Sequence, residues 1–329
     1  MARHTILGKG PIGRTLATHL ADAGHDVHVL SRSGPRPGAP ARTQAASGGS
    51  IEHHRVDGTD ADALTARTGG SVALYNCVNP AYHRWATDWP PVAAALLAAA
   101  TRTDAVLVIA GNLYGYGAGH PHMRESDPLA SRETKGRVRA QMWADALARH
   151  DAGALRTTEV RGSDYLGPGA EAHAHAGPRM LTPLLAGRVL RPIASADRPH
   201  TWTYLPDFAA ALARAAELPD AWGRPWHVPS PEPQTYREVA ERFAKAAGAP
   251  TPRISPAPLA AVRLLGLVNP MMREIAGVAY QFDQPFVTDD TASRRVLGLE
   301  PTGWDTIVTR TLAAHRAEHP AGQPVGARR

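Results

Sequence analysis

Thr5-Ile6-Leu7-Gly8-Lys9-Gly10-Pro11-Ile12-Gly13-Arg14-Thr15-Leu16 is the stretch whose reading decides the fold. A short apolar run passes into a helical pattern through glycines spaced G-x-G-x-x-G, the strand–turn–helix context of a dinucleotide-binding turn. Gly8 allows the tight turn, Gly10 lets the backbone approach a pyrophosphate, and Gly13 lets helix and strand pack closely. The helix start, with Pro11 and Ile12 in it, turns free N–H groups and a positive dipole end toward the phosphates. A purely structural turn is the alternative.

Outward from this turn, short apolar runs alternate with helical stretches, the pattern of a parallel sheet covered on both faces. The runs predict strands at Thr5–Leu7, Val27–Leu30, Ile51–Val56, Val72–Val78, Ala105–Ala110 and Thr158–Arg161, with helices near Gly13–Ala23, Ala61–Arg67, Pro91–Thr101 and Thr134–His150. Gly24 and Gly153 fall where helices should stop. The stretch Ser33–Ser50 reads as a loop, and so does Gly111–Leu129, which follows the fifth strand where ligands of open parallel sheets bind. The expectation is an α/β Rossmann-fold doubly wound sheet over 1–165, completed near 198–228. A smaller substrate-binding lobe takes 166–197 and 229–329, with a helical lid over 258–279.

The end of the second strand carries cofactor specificity. An NAD site would place an acidic residue there for the ribose 2′-hydroxyl. This chain has Ser31-Arg32-Ser33, with Arg36 nearby and Lys9 inside the turn. A guanidinium and hydroxyls suit a 2′-phosphate, so NADP(H) is the expected cofactor.

Bulk properties narrow the class. The 329 residues carry a net charge of +6, but the 36 Lys and Arg are scattered and form no basic block interleaved with aromatics, so no nucleic-acid partner is expected. The one cysteine, Cys77, cannot form an internal disulfide, which points to a reducing, cytoplasmic compartment. The Met-Ala-Arg-His start leaves no room for a signal peptide, and the apolar stretch Val92–Ala100 is too short for a bilayer, so no membrane partner is expected. His173 and His175 lack partners at metal spacing, and no metal site is expected.

Several further segments, in order, make the chain resemble the extended short-chain dehydrogenase/reductases, the epimerase/dehydratase-like group. Val56-Asp57-Gly58-Thr59-Asp60 resembles the acidic turn that recognises adenine through its first Asp. Asn76-Cys77-Val78-Asn79 matches the strand end beside the nicotinamide ribose, and Leu113-Tyr114-Gly115 resembles the Val-Tyr-Gly element. Arg161–Gly169 is similar to the family's Arg-Pro…Tyr-Gly-Pro-Gly segment. Thr203-Tyr204-Leu205-Pro206-Asp207, Phe282-Asp283 and Leu297-Gly298 complete the likeness. The resemblance implies Asp57, Gly58, Cys77, Val78 and Asn79 as cofactor contacts. It also implies dimerisation through helices beside the fifth strand; monomer or homodimer is the expectation.

The catalytic positions depart from the family. Its carbonyl-holding Ser/Thr is replaced by Ala110. Its Tyr-x-x-x-Lys pair becomes Ser131 and Lys135. A serine hydroxyl is a far poorer acid than a phenol near neutral pH. Lys135 keeps a ribose contact or is a plain surface lysine. Candidates to replace the acid are Tyr114, Tyr116, Tyr82 and Tyr165, all after strand ends, and His83 or His120. A bound water, or a phenol of the substrate itself, is the other source of the proton. Asn112, Asp164, Trp202 and Met271 join Tyr82, Tyr116 and Tyr165 as candidate substrate contacts. Trp85, Trp89, Met180, Met272 and Phe282, with Trp202 and Met271, either line an apolar pocket or form core.

The expected function is NADPH-dependent reduction of a ketone on a bulky small molecule. Similarity to atypical polyketide ketoreductases implies an aromatic polyketide or another secondary metabolite, as in antibiotic biosynthesis. The alternatives are a non-catalytic NADP(H)-binding sensor and a sugar-nucleotide epimerase or dehydratase.

Overall fold

The computed structural model describes residues 1–35, 37–171 and 174–319, with the backbone alone at Pro270 and Met271. Arg36, His173 and the Met271 side chain, singled out in the sequence, therefore lie outside the described residues.

The N-terminal half runs β1 (Arg3–Leu7), α1 (Pro11–Asp22), β2 (Asp26–Ser31), β3 (Arg42–Gln44), β4 (Ser50–Arg55), α2 (Ala61–Thr68), β5 (Ala73–Asn76), α3 (Trp85–Thr103) and β6 (Val106–Asn112). It continues through β7 (His122–Met123), α4 (Thr134–Asp151), β8 (Thr157–Gly162), β9 (Asp164–Leu166), α5 (Pro178–Leu185), β10 (Trp202–Tyr204), α6 (Leu205–Glu217) and β11 (Pro225–His227). Among the described residues that follow, the elements are α7 (Tyr236–Ala247), α8 (Leu259–Leu265), α9 (Pro270–Val278), α10 (Tyr280–Asp283), β12 (Val287–Thr288), α11 (Thr291–Leu297) and α12 (Trp304–Glu318).

One eight-stranded sheet has the order β11-β8-β6-β5-β1-β2-β4-β3. Every neighbouring pair in it is parallel except β3–β4. Strand order reverses at β1, so the crevice beyond the carboxyl ends of β1 and β5 is where such a sheet receives a ligand. Both faces are covered, which is why the strands read as nearly continuous apolar runs. Ile6, Val29, Val108 and Val160 pack under α1 and α6 through Leu16, Leu20, Phe208 and Leu212. Leu7, Leu74, Leu107 and Ile109 pack under α3 and α4 through Trp85, Trp89, Leu96, Met142 and Trp143. A third core, with Met180, Trp202, Tyr236, Phe243 and Trp304, binds α5, α7, α12 and β10 together.

The six strands read from the sequence all form, within one or two residues at each end. Gly24 and Gly153 both take positive φ, 86° and 70°, at helix ends. Two features differ from expectation. The Ser33–Ser50 loop contains β3, whose Arg-Thr-Gln is wholly exposed and so lacks the alternation that marks a strand. Helix α3 starts at Trp85 rather than Pro91, because Trp85 and Trp89 share one face and both bury it, outweighing Pro90 and Pro91 inside the helix. The segment expected as a lid is two short helices, α8 and α9. No helix among the described residues is long and apolar enough to cross a membrane.

Candidate active site

The glycine turn sits between β1 and α1 with its side-chain requirements visible. Gly8 has φ 111°, and a Cβ there would stand 2.5 Å from the Cys77 carbonyl oxygen. A Cβ on Gly13 would stand 2.1 Å from the Gly8 carbonyl oxygen. At Gly10, the residue that begins α1, a Cβ would meet nothing within 4 Å. The first and third glycines therefore close the turn against the protein itself. Gly10 opens outward at a helix N-terminus, the cradle a pyrophosphate requires.

At the adenosine end, Lys9 Nζ donates to the Gly34 carbonyl at 2.7 Å, and Ser31 Oγ donates to the same oxygen at 3.4 Å. This places an ammonium on the loop after β2, beside exposed Arg32 and Ser33. Asp57 accepts from Thr59 N and Oγ1, at 3.0 and 2.9 Å, at the exposed end of β4. These hydrogen bonds hold its carboxyl below the ordinary range, with a smaller push from the Arg32 charge. The adjacent Gly58 lies against Leu7. Near the sheet centre, Val78 N donates to Asn76 Oδ1 at 3.2 Å, and Asn79 is exposed. Cys77 is buried, and desolvation pushes its thiol up to about 12, so it packs rather than reacts.

At the other end of the cleft, Ala110 offers no hydroxyl, and its carbonyl accepts from Arg139 Nη1 at 3.3 Å. Ser131 differs from its expected catalytic place. Its Oγ accepts from Glu133 N at 3.3 Å, and a Cβ on Gly136 would stand 2.1 Å from it. It is a turn residue wedged at the start of α4, closed in by close packing.

Lys135 is 3% exposed and is no surface lysine. Its Nζ donates to the Glu274 carboxylate at 2.8 Å and to the Glu274 backbone carbonyl, and lies 5.2 Å from the centre of the Tyr82 ring. Burial pulls the ammonium's pKa down while Glu274 resists the shift. Glu274 belongs to α9, so the segment read as a lid packs over Lys135.

Tyr82 and Tyr114 share a hydrogen bond of 2.9 Å between their hydroxyls, and Asn112 Oδ1 accepts from Tyr114 N at 3.1 Å. Burial raises the pKa of both phenols, and the Asp164 carboxylate acts in the same direction on each. Asp164 Oδ2 lies 3.0 Å from His200 Nε2, and His200 Nδ1 lies 3.2 Å from the Gln281 carbonyl oxygen. A carbonyl only accepts, so Nδ1 is the donor in that contact. Burial works to raise the Asp164 pKa, and the hydrogen bond and charge of His200 outweigh it, leaving the carboxyl lowered. The pair thus sets a carboxylate and an imidazole beside the two phenols. Its ring stacks with Phe282 and Phe286, and Phe282 stacks in turn on His175, whose pKa burial depresses to about 4.

Two candidate contacts lie elsewhere. Tyr116 is 1% exposed and sits in a buried network: Arg161 Nη1 donates to its hydroxyl at 2.8 Å, and His227 Nε2 is 2.8 Å away on the other side. Trp202, also 1% exposed, packs in the C-terminal core with its indole N–H on the Gln234 carbonyl at 2.8 Å. Trp85, Trp89 and Met180 are core for the same reason. Each ring or thioether finds more apolar partners between layers than a cleft wall offers. Tyr165 is partly buried, with its phenol pushed up to about 12 by burial. His200, Glu274 and Gln281 are the site residues that the sequence reading lacks. Each comes from a segment 36 or more positions from its partner, and no local spacing marks them.

A model of the NAD dependent epimerase/dehydratase family matches residues 5–228. No curated protein matches the chain in sequence. Among solved structures, MoeE5 in complex with UDP-glucuronic acid and NAD is 19% identical, with 96% of this chain and 99% of that one covered and a TM-score of 0.75. The dTDP-glucose 4,6-dehydratase of Bacillus anthracis str. Ames, in complex with NAD, is 14% identical, with 97% and 98% covered and a TM-score of 0.77. An epimerase of Methanothermobacter thermautotrophicus is 16% identical, with 96% and 93% covered and a TM-score of 0.76. Identities this low carry the fold.

Proposed function

Because the chain belongs to the NAD dependent epimerase/dehydratase family, we propose that it binds NADP(H) at the glycine turn and reduces a ketone of a bulky small molecule. The observation that carries this reading is the cleft's set of polar groups: the Asp164–His200 contact beside the Tyr82–Tyr114 pair, with no Ser-Tyr-Lys triad. Epimerases and dehydratases remove and return hydride through a strong acid–base phenol. Here the matching positions are Ala110 and a wedged Ser131, which favours a one-way reduction.

Gly8, Gly10 and Gly13 shape the pyrophosphate cradle. Lys9, Ser31 and Arg32 fit the 2′-phosphate that distinguishes NADP(H), and Asp57 fits the adenine. Bound there, the reduced nicotinamide supplies a hydride to the carbonyl carbon. The developing alkoxide then takes its proton from an ordered water or from a phenol of the substrate. Asp164–His200 replenishes that proton, and the Tyr82–Tyr114 hydroxyls hold the carbonyl end in place. The substrate class we favour is an aromatic polyketide or related secondary metabolite, acted on by a monomer or homodimer without nucleic acid or membrane.

Single-turnover oxidation of bound NADPH by a panel of aromatic ketones tests the reading. Asp164→Asn and His200→Gln should leave this single-turnover step within about tenfold and slow steady-state turnover about 100-fold, with NADPH affinity kept. Tyr82→Phe, Tyr114→Phe and Tyr165→Phe should each cost less than about tenfold. A loss near a thousandfold at one tyrosine would make that phenol the acid and end the water- or substrate-assisted scheme. The Lys135–Glu274 contact favours a second reading, a non-catalytic NADP(H) sensor, which moves ahead if no ketone accelerates NADPH loss while the cofactor still binds.

A further inference from the structure

On the far side of β1 from the cleft centre, β2 and β4 pair in parallel with His28 opposite Glu52 and Leu30 opposite His54. Residues two apart on a strand share a face, so His28, Glu52 and His54 project from the same side of the sheet. That side is the one Leu30 shares with α2 and α3. Glu52 and His54 lie one above the other on β4, and His28 faces them from β2.

The three side chains converge. A ligand atom from each, two imidazole nitrogens and a carboxylate oxygen, lies within 4.8 Å of the others, and all three residues are half-buried. The two imidazoles meet edge to face with centroids 4.9 Å apart. His54 Nε2 is 3.6 Å from Glu52 Oε1, too long for a hydrogen bond. His28 Nδ1 and His54 Nε2 are each buried with no hydrogen-bond partner. Buried imidazole nitrogens normally find one, so two orphans on rings gathered around one carboxylate need an explanation.

We propose that His28, Glu52 and His54 form a binding site for a divalent transition-metal ion, with zinc the best match to two imidazoles and a carboxylate. Such a donor set leaves a fourth position for water, at preferred bond lengths of about 2.0–2.2 Å. The tautomer is already suitable. The backbone of Arg67 hydrogen-bonds the His28 ring, while Nδ1 lacks a partner, so its lone pair is the free function. Arg3 and Arg67 also bear on this group with positive charge and weaken it for a cation, while Glu52 acts the other way. The ion ties β2 to β4, the strands whose carboxyl ends carry Ser31 and the Asp57 turn, so it acts as a clamp on the adenosine end of the cleft.

The test is titration of the metal-free chain with Zn2+ and with Co2+, whose visible absorption reports four- or five-coordinate binding. One equivalent should bind. His28→Gln, His54→Gln and Glu52→Gln should each weaken it about tenfold or more. His315→Gln, which removes one ring of the stacked His315–His319 pair on α12, should leave it unchanged. If the strand variants fail to fold, paramagnetic broadening in the wild-type chain decides, since bound Co2+ should broaden the His28 and His54 ring resonances first. Wild-type binding weaker than about 1 mM would overturn the proposal. So would full affinity in folded His28→Gln and His54→Gln, or broadening that begins at His315 and His319.

Discussion

Replacing Glu274 by Gln should tighten NADPH binding, although Glu274 lies on a helix outside the nucleotide-binding half. The reasoning starts from Lys135, which is 3% exposed and paired at 2.8 Å with a carboxylate that is 27% exposed. An exposed ion pair contributes about 0–1 kcal/mol, and removing one partner of a fully buried pair costs about 3–5 kcal/mol. This pair lies between, and the Glu274 carbonyl remains as an acceptor after substitution, so about 1–2 kcal/mol is the expected loss in the free chain. If the lysine turns to the nicotinamide ribose when the cofactor binds, that interaction is already given up in the complex. Glu274→Gln then destabilises only the free state, and the dissociation constant for NADPH falls about 5- to 30-fold at 1.4 kcal/mol per decade. Fluorescence titration measures this directly. Melting without NADPH should drop by a few degrees, and the drop should shrink at saturating cofactor. Unchanged or weakened NADPH binding by Glu274→Gln would refute the exchange of partners and leave Lys135 as a structural ion pair.

Three other outcomes follow from the site. Lys9→Ala should weaken NADPH about tenfold or more and leave NADH within about twofold, if the ammonium on the loop after β2 meets the proposed 2′-phosphate; isothermal titration with both cofactors checks it. Gly10→Ala should melt near the wild-type temperature yet lose NADPH, because its Cβ meets no protein atom, whereas Gly13→Ala should lower the melting temperature itself through a clash 2.1 Å from a backbone oxygen. Acid should act earlier than carboxylates alone allow. His4, His175 and His227 are depressed from 6.5 to about 4 by burial, so the stability they confer is fully present above pH 6.5 and is lost as pH falls from there toward 4. At pH 5 the loss approaches 2 kcal/mol per group, read by urea unfolding at pH 7 and pH 5; equal stability at both would show that these rings titrate normally.

What the residues themselves determined is local and periodic. Thr5–Gly13 fixes a strand, a tight turn and a helix, because positive φ at Gly8 and the missing Cβ at Gly13 are properties of those residues alone. The strands covered on both faces are legible for the same reason, since burial on two sides demands unbroken apolar runs. The absences at Ala110 and Ser131 could also be read directly, and they redirect the chemistry. What only the tertiary structure decided is which polar groups meet. His200 reaches Asp164 across 36 positions and Lys135 reaches Glu274 across 139. Trp202 and Tyr116, attractive as cleft residues from their neighbours in sequence, turn inward because layer packing gives their rings more partners. Such pairings depend on chain crossovers and on which side of a layer a ring falls, and a linear sequence holds no periodicity that encodes either.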